Sequence, residues 1–196
     1  MAAVIVTATT LALDLVFFFD EFFLYFHYWC LIVTTAAQSM LLVVSLTTTT
    51  GPPSSLSFDY IVTRVFEGAL ATQLAAMAFF WAFLREEPLG QAVYEWWDYW
   101  LTNLLVPAFL LAEFFFDSIE ISYLYFFIPG GVAAGYVAFL FVIVSTTDEE
   151  AGEEPLLKGI FDQENIWQSG IMFVIWVLII HFALAFGSSY KSQFNN

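Results

Sequence analysis

The chain has 196 residues, of which 61% are hydrophobic and 12% are charged. A soluble domain of this size carries about a quarter charged residues, so the composition excludes a soluble globular domain and a disordered tail. The net charge of −15 also excludes a nucleic-acid partner, because binding a phosphate backbone requires cations. The composition therefore predicts an all-α integral membrane protein: a helical bundle of five to six transmembrane helices, forming one domain over residues 1–196.

Apolar runs predict the membrane spans in chain order. A helix needs about 20 apolar residues to cross a hydrocarbon core of about 30 Å. Such runs predict spans at 24–46, 65–84, 100–116, 123–145 and 167–187. Residues 2–19 are also apolar apart from Asp14, but only Asp20 and Glu21 separate them from the next run. They are either a short first span, which we favour, or a helix that lies in the membrane interface.

Two polar connections, at 85–99 and 146–166, have two spans between them and therefore share one side of the membrane. In the six-span arrangement this side carries most of the 19 acidic residues, whereas the four basic residues divide evenly between the sides. The positive-inside rule counts Lys and Arg only, so it does not orient the chain. An organelle inner membrane, in a mitochondrion or a plastid, is a compatible location.

A polar stripe marks the span at 24–46. Its members His27, Cys30, Thr34 and Gln38 are three or four residues apart and share one helix face. One interpretation is a polar cavity in which Cys30 is a nucleophile and His27 its base. The other, which we favour, is a set of hydrogen bonds between helices made by small polar groups.

The span at 100–116 carries Thr102 and Glu113 on one face, with Pro107 between them. Proline lacks a backbone N–H, so it frees a carbonyl in the preceding turn and predicts a kink. A carboxylate at membrane depth needs a partner or a proton, and Arg64 is one candidate partner for Glu113. Arg64 and Glu67 are also spaced to satisfy each other, so a structural ion pair is favoured over catalysis.

Small residues predict close helix packing at two places. Gly131 and Gly135 form a G-x-x-x-G pattern, and Gly68 begins a series of small residues at four-residue spacing. Such patterns let helix backbones approach closely, either inside the bundle or at a docking face.

No cofactor or metal is expected, whereas bound lipids are. Cys30 is the one cysteine, which excludes cysteine-based metal sites, and His27 and His181 are the only histidines. In the six-span arrangement the two histidines are on the order of 13 Å apart along the membrane normal, too far for one haem iron.

Five segments carry a resemblance to a known family: FHYWCLIVTTAAQ (26–38), TNLLVPAFLLAEFFF (102–116), YFFIPGGVAAGYVAFLFVIV (125–144), LLKGIFDQ (156–163) and VLIIHFALAF (177–186). Their order resembles that of successive elements in the androgen-induced-protein family and the related Rolling-stone-like membrane proteins. The resemblance covers about three quarters of the chain, through hydrophobic patterns.

The resemblance implies an intramembrane hydrolase of lipid esters, since the androgen-induced branch uses a Thr and a His for that reaction. Its Thr position falls at or near Cys30 and its His position near Thr102, so neither residue type is retained. We therefore expect no hydrolysis of the family type, while the polar face can remain as a lipid pocket.

Three functions are compatible with these sequence features. The favoured one is a non-catalytic accessory subunit, packed into a larger membrane complex of respiratory or photosynthetic type and contacting lipids and other membrane-protein subunits. The alternative is a lipid-ester hydrolase or lipid-binding protein of the resembled family, whose candidate residues are His27, Cys30, Thr34, Thr102 and Glu113. A small transporter or proton channel around Glu113, Arg64 and His181 ranks last, because inverted halves are not evident.

Overall fold

The structure is a computed structural model that describes residues 2–17, 25–47, 58–84, 100–116, 119–146 and 166–194. These residues form an all-helical bundle, and no strand occurs among them. The predicted connection at 85–99 lies outside the described residues, as do Asp20, Glu21 and all but the two end residues of the connection at 146–166.

Six α-helices follow one another in the described part of the chain. They are α1 (Ala2–Phe17), α2 (Phe26–Thr47), α3 (Phe58–Phe79), α4 (Val106–Phe116), α5 (Phe127–Thr146) and α6 (Ile166–Phe194). A π-helical turn at Phe80–Leu84 extends α3, and a second one at Leu101–Leu105 precedes α4. A 3₁₀ turn at Tyr123–Tyr125 leads into α5.

The lengths and composition of these helices confirm a membrane bundle. Four are long and apolar enough to cross a bilayer, at Phe26–Leu46, Phe58–Ala82, Tyr123–Ile143 and Trp167–Lys191. The other two predicted spans are shorter apolar helices, Ala2–Phe17 and Leu101–Phe116. With 16 residues, α1 is about 24 Å long, which is less than a hydrocarbon core of about 30 Å.

Helix α3 occupies the centre of the bundle, where it contacts α2, α4, α5 and α6. Every residue from Phe66 to Ala76 is buried, on all sides of the helix. Many of these residues are small or are medium-sized amides and hydroxyls, so neighbouring helices approach closely and find hydrogen-bonding groups on α3. A helix buried all round is expected at the core of a bundle rather than at its lipid face.

Aromatic rings fill the space between α2, α5 and α6. The ring of Phe26 lies 5.1 Å from that of Tyr136 and 4.7 Å from that of Phe173, measured between centroids. All three side chains are buried. Ring pairs at these distances add to the stabilisation from burial, so this cluster holds the outer pair of helices, α5 and α6, against α2.

Two glycines permit the closest approaches between helices. A Cβ atom built on Gly68 of α3 would lie 2.6 Å from Cγ2 of Ile128 at the start of α5. A Cβ atom built on Gly170 of α6 would lie 2.4 Å from Cγ1 of Val137 on α5. Both distances are far below van der Waals contact, so a larger residue at either position would require the side chain of Ile128 or Val137 to shift. Gly68 therefore lies at a close contact between α3 and α5.

Gly131 and Gly135 occupy a different environment. Both are exposed, and a Cβ atom built on either would have no described atom within 4 Å. Among the described residues, this pair therefore does not pack inside the bundle, which was one of the two roles expected for it. The pair lies on the outer face of α5 together with the exposed Ala134 and Ala138.

Candidate functional site

A hydrogen-bonded chain joins α1, α2 and α4 through the predicted polar stripe. The hydroxyl of Thr7 donates to Oε1 of Gln38 at 3.0 Å. In turn Nε2 of Gln38 donates to Oε2 of Glu113 at 3.5 Å. Thr7 and Gln38 are buried, so both bonds lie between packed helices. We refer to these three residues as the Gln38 chain.

A second chain joins α2, α3 and the π-helical turn before α4. The hydroxyl of Thr34 donates to Oε1 of Gln73 at 3.4 Å, and Nε2 of Gln73 donates to the backbone carbonyl of Thr102 at 3.0 Å. All three residues are buried. The predicted candidates Thr34 and Thr102 are therefore connected, but through Gln73, which was not among the predicted site residues.

Pro107 explains why this part of α4 accepts bonds from α3. Its missing N–H is the donor that an α-helix would supply to the carbonyl four residues earlier, that of Asn103, and that a π-helical turn would supply to the carbonyl five residues earlier, that of Thr102. Nε1 of Trp81 donates to the Asn103 carbonyl at 3.3 Å, and Gln73 donates to that of Thr102. Side chains of a neighbouring helix thus satisfy both carbonyls, as is required at membrane depth.

The candidate catalytic residues make separate contacts. The Cys30 side chain is fully buried, and its hydrogen bond is with Thr72 of α3. The His27 ring is half-buried, with its centroid 4.0 Å from that of Tyr28 and 5.7 Å from that of Tyr25. The described contacts of the thiol do not include the imidazole, so the two do not form a nucleophile–base pair.

The burial of Cys30 predicts an unreactive thiol. In native detergent-solubilised protein we expect a membrane-permeant maleimide to leave Cys30 unmodified over the time in which it fully labels an introduced Ser189→Cys, an exposed position on α6. Labelling of Cys30 should become complete after denaturation in dodecyl sulfate, as read by intact-protein mass spectrometry. Rapid native labelling, or capture of a lipase probe that Cys30→Ala abolishes, would contradict this expectation and favour the hydrolase.

The second polar site surrounds Ser122, in the connection between α4 and α5. Nη1 of Arg64 lies 2.5 Å from Oε2 of Glu67, and the other carboxylate oxygen of Glu67 accepts a hydrogen bond from the Ser122 N–H. Nε2 of His181 donates to the Ser122 carbonyl at 3.2 Å. We refer to Arg64, Glu67, Ser122 and His181 as the Ser122 cluster.

Aromatic rings enclose the charged part of this cluster. The guanidinium carbon of Arg64 lies 5.0 Å from the ring centroid of Tyr60 and 4.3 Å from that of Tyr125. The hydroxyls of these tyrosines contact each other. Cation–π contacts of this kind stabilise a partly desolvated cation. The Arg64 side chain is 20% exposed, whereas that of Glu67 is 1% exposed.

Helix α6 also forms hydrogen bonds with the connection between α4 and α5 and with the end of α4. The hydroxyl of Ser188 accepts a hydrogen bond from the Ile121 N–H at 2.9 Å, and Nζ of Lys191 donates to the Phe114 carbonyl. A lysine is well placed at the end of a helix, where the last carbonyls lack helical donors. The Ser122 cluster and Ser188 thus satisfy the N–H groups of Ile121 and Ser122 and the Ser122 carbonyl, and Lys191 satisfies a carbonyl in the last turn of α4.

The structure distinguishes between the two pairings that the sequence allowed for Arg64. Arg64 pairs with Glu67, and the contact described for Glu113 is with Gln38. The pairing of Arg64 with Glu113 is therefore not formed. His181, considered above as a haem ligand and as a channel residue, serves as a hydrogen-bond donor to Ser122.

Among the described residues, no group of three or more His, Cys, Asp or Glu side chains is placed to hold a metal ion. No protein-family model, curated protein or solved structure matches the chain.

Proposed function

We propose that the chain is a non-catalytic, multi-pass membrane protein that serves as an accessory subunit of a larger membrane complex. The observation that carries the proposal is the use of the buried polar groups. Gln38, Gln73 and Glu67 each bridge two other residues from different elements, so their chemistry is engaged in holding helices together. Together with the buried thiol of Cys30, this arrangement favours a structural role.

The outer face of α5 supports the same proposal. Gly131, Ala134, Gly135 and Ala138 are exposed there and form a shallow strip of small residues along the helix. Small residues at this spacing allow the backbone of a second transmembrane helix to approach closely. A neighbouring subunit of the complex, with lipids over the rest of the apolar surface, is the occupant that the proposal assigns to this face.

The test is the size and composition of the particle after gentle detergent extraction. We expect the protein to co-migrate on a native gel with stoichiometric membrane-protein partners, which mass spectrometry then identifies. The double variant Gly131→Leu/Gly135→Leu is expected to release it from that particle. Gly187→Leu is the matched control, because Gly187 also has no described atom within 4 Å but lies on α6. A lone wild-type monomer would contradict the proposal.

We place this complex in an energy-converting membrane of respiratory or photosynthetic type, such as the inner membrane of a mitochondrion or a plastid. The support is the chain itself, which combines membrane helices, a high aromatic content of 20% and a net charge of −15. Fractionation of organelles, followed by detection of the tagged full chain, tests the location. Recovery in the plasma-membrane or endoplasmic-reticulum fraction would contradict it.

A further inference from the structure

Helix α1 buries three of its four polar side chains, Thr9 being the exposed one, and it exposes its large apolar side chains. Its buried residues are Ala3, Thr7, Thr10 and Asp14, which are three or four residues apart and share one face. Its exposed large side chains are Ile5, Leu13, Val16 and Phe17. In a membrane this pattern is that of a helix with lipid on one face and a polar interior on the other.

The polar face of α1 continues into the Gln38 chain. Thr7 bonds to Gln38, and Gln38 bonds to Glu113, so α1 is connected to a carboxylate on α4 by two hydrogen bonds of 3.0 and 3.5 Å. Asp14 lies two turns from Thr7 on the same face, with Thr10 between them. Neighbouring polar groups along this face are one turn apart, about 5–6 Å, which is a distance that one water molecule bridges.

The two carboxylates lie at different depths. Thr7 meets Gln38, so in a parallel arrangement Phe17 and Phe26 would be about 33 Å apart along the helix axes, with the lateral distance between the helices in addition. The nine residue steps between them reach about 30–32 Å at most. The two helices are therefore antiparallel. Asp14 is displaced from the level of Gln38 and Glu113 by about 10 Å toward the membrane side where α2 begins.

A buried acceptor lies beside the path. Oδ1 of Asn103 is buried and has no hydrogen-bond partner among the described residues. Asn103 adjoins Thr102, which accepts a bond from Gln73 in the second hydrogen-bonded chain, and Gln73 also bonds Thr34. Thr34 and Gln38 are one turn apart on α2. An unsatisfied buried oxygen in polar surroundings is a place that an internal water fills.

From this geometry we propose that α1, α2 and α4 enclose a proton-transfer path between Asp14 and Glu113. A carboxylate at one end takes up a proton from its side of the membrane. The proton passes through internal water that Thr10, Thr7 and Gln38 hold by hydrogen bonds, and it reaches the other carboxylate, which releases it to the opposite side. One proton is transferred and no bond to carbon changes, so the step needs only a proton gradient or a membrane potential.

The Ser122 cluster is not part of this path. Arg64 is paired with Glu67 on α3, and His181 of α6 donates to the Ser122 carbonyl in the connection before α5. The remaining titratable groups on α2 are Cys30, which bonds to Thr72, and His27 and Tyr28, at the end of α2 toward which Asp14 is displaced. Proton transfer along this path is a function separate from the proposed role as an accessory subunit. It can be measured on the purified chain, without partner subunits.

The test uses the purified full chain in phospholipid vesicles that contain a pH-sensitive dye. A potassium gradient with valinomycin sets the membrane potential, and the initial rate of internal pH change is read. We expect wild type to exceed protein-free vesicles several-fold, and Asp14→Asn and Glu113→Gln each to reduce the excess rate at least tenfold. Asp59→Asn is the matched control. It neutralises a carboxylate in the first turn of α3, outside the proposed path, and we expect it to retain the wild-type rate.

Thr7→Val keeps the shape of the side chain and removes the hydroxyl that bonds Gln38, so it tests the path even if a carboxylate variant fails to fold. We expect it to lower the excess rate at least fivefold, with unchanged helical circular dichroism. A wild-type rate equal to that of protein-free vesicles would overturn the proposal. Wild-type rates in folded Asp14→Asn, Glu113→Gln or Thr7→Val would overturn it as well.

Discussion

Replacement of Glu67 by alanine is expected to lower the free energy of unfolding by about 3–5 kcal/mol, because removing one partner of a buried ion pair leaves the other charge uncompensated. Arg64 would lose its carboxylate while its guanidinium stays between two tyrosine rings. The Ser122 N–H would also lose its acceptor. The effect is measured by thermal unfolding in a single detergent, as a fall in the midpoint relative to wild type.

Two further variants separate the charge from the hydrogen bond. Glu67→Gln keeps an oxygen that accepts from Ser122 and removes only the charge, so its loss should be smaller than that of Glu67→Ala. The double variant Arg64→Leu/Glu67→Leu removes both charges and should recover much of the stability, since paired apolar replacements are often neutral. Equal stability of Glu67→Ala and wild type would show that the cluster does not hold the connection before α5.

Gly170→Leu is expected to separate α5 from α6. A Cβ atom at this position would lie 2.4 Å from Val137 Cγ1, and leucine adds three more carbon atoms in the same contact. Overpacking in a dense interior costs about 1–3 kcal/mol, and the short, β-branched side chain of Val137 has little freedom to move aside. We expect a lower thermal midpoint and a smaller monodisperse fraction in size-exclusion chromatography.

Gly187→Leu on the same helix is the control for Gly170→Leu, because it adds the same atoms where no described atom lies within 4 Å. It should leave both the midpoint and the chromatographic profile unchanged. Gly170→Ala should fall between the two, since Val137 need yield only to a single methyl group. A Gly170→Leu protein as stable as Gly187→Leu would mean that α5 and α6 are not in close contact there.

Hydropathy in the sequence was sufficient to predict the class of fold, because apolar runs of span length have few alternatives to membrane helices. The pairing of Arg64 with Glu67 was also open to prediction, since three-residue spacing on one helix fixes the distance. The same local spacing placed Thr34 and Gln38 on one face. These inferences depend only on the spacing of residues within a single helix, and that spacing can be taken directly from the sequence.

Contacts that depend on how helices are rotated against each other were not predicted. Gln73 bonds a backbone carbonyl 29 positions away, and only the presence of Pro107 hinted that such a carbonyl was free. Ser122 lies in a break between apolar runs and looks like an ordinary loop residue until Glu67 and His181 are brought to it. The polar face of α1 was not predicted either: residues 2–19 were described as apolar apart from Asp14, although Thr7, Thr10 and Asp14 are spaced to share one face.

That polar face also affects how the chain is made. While the ribosome is still synthesising later segments, α1 alone would present the two hydroxyls and the carboxyl of this face to lipid. An aspartate in an inserting helix is unfavourable by up to about 2.5–3.5 kcal/mol, the cost at the helix centre. Gln38, only 31 positions after Thr7, is the earliest partner that the structure gives it across a helix interface. We therefore expect α1 to leave the translocon together with α2, as a hairpin, and Glu113 to join it only when α4 arrives.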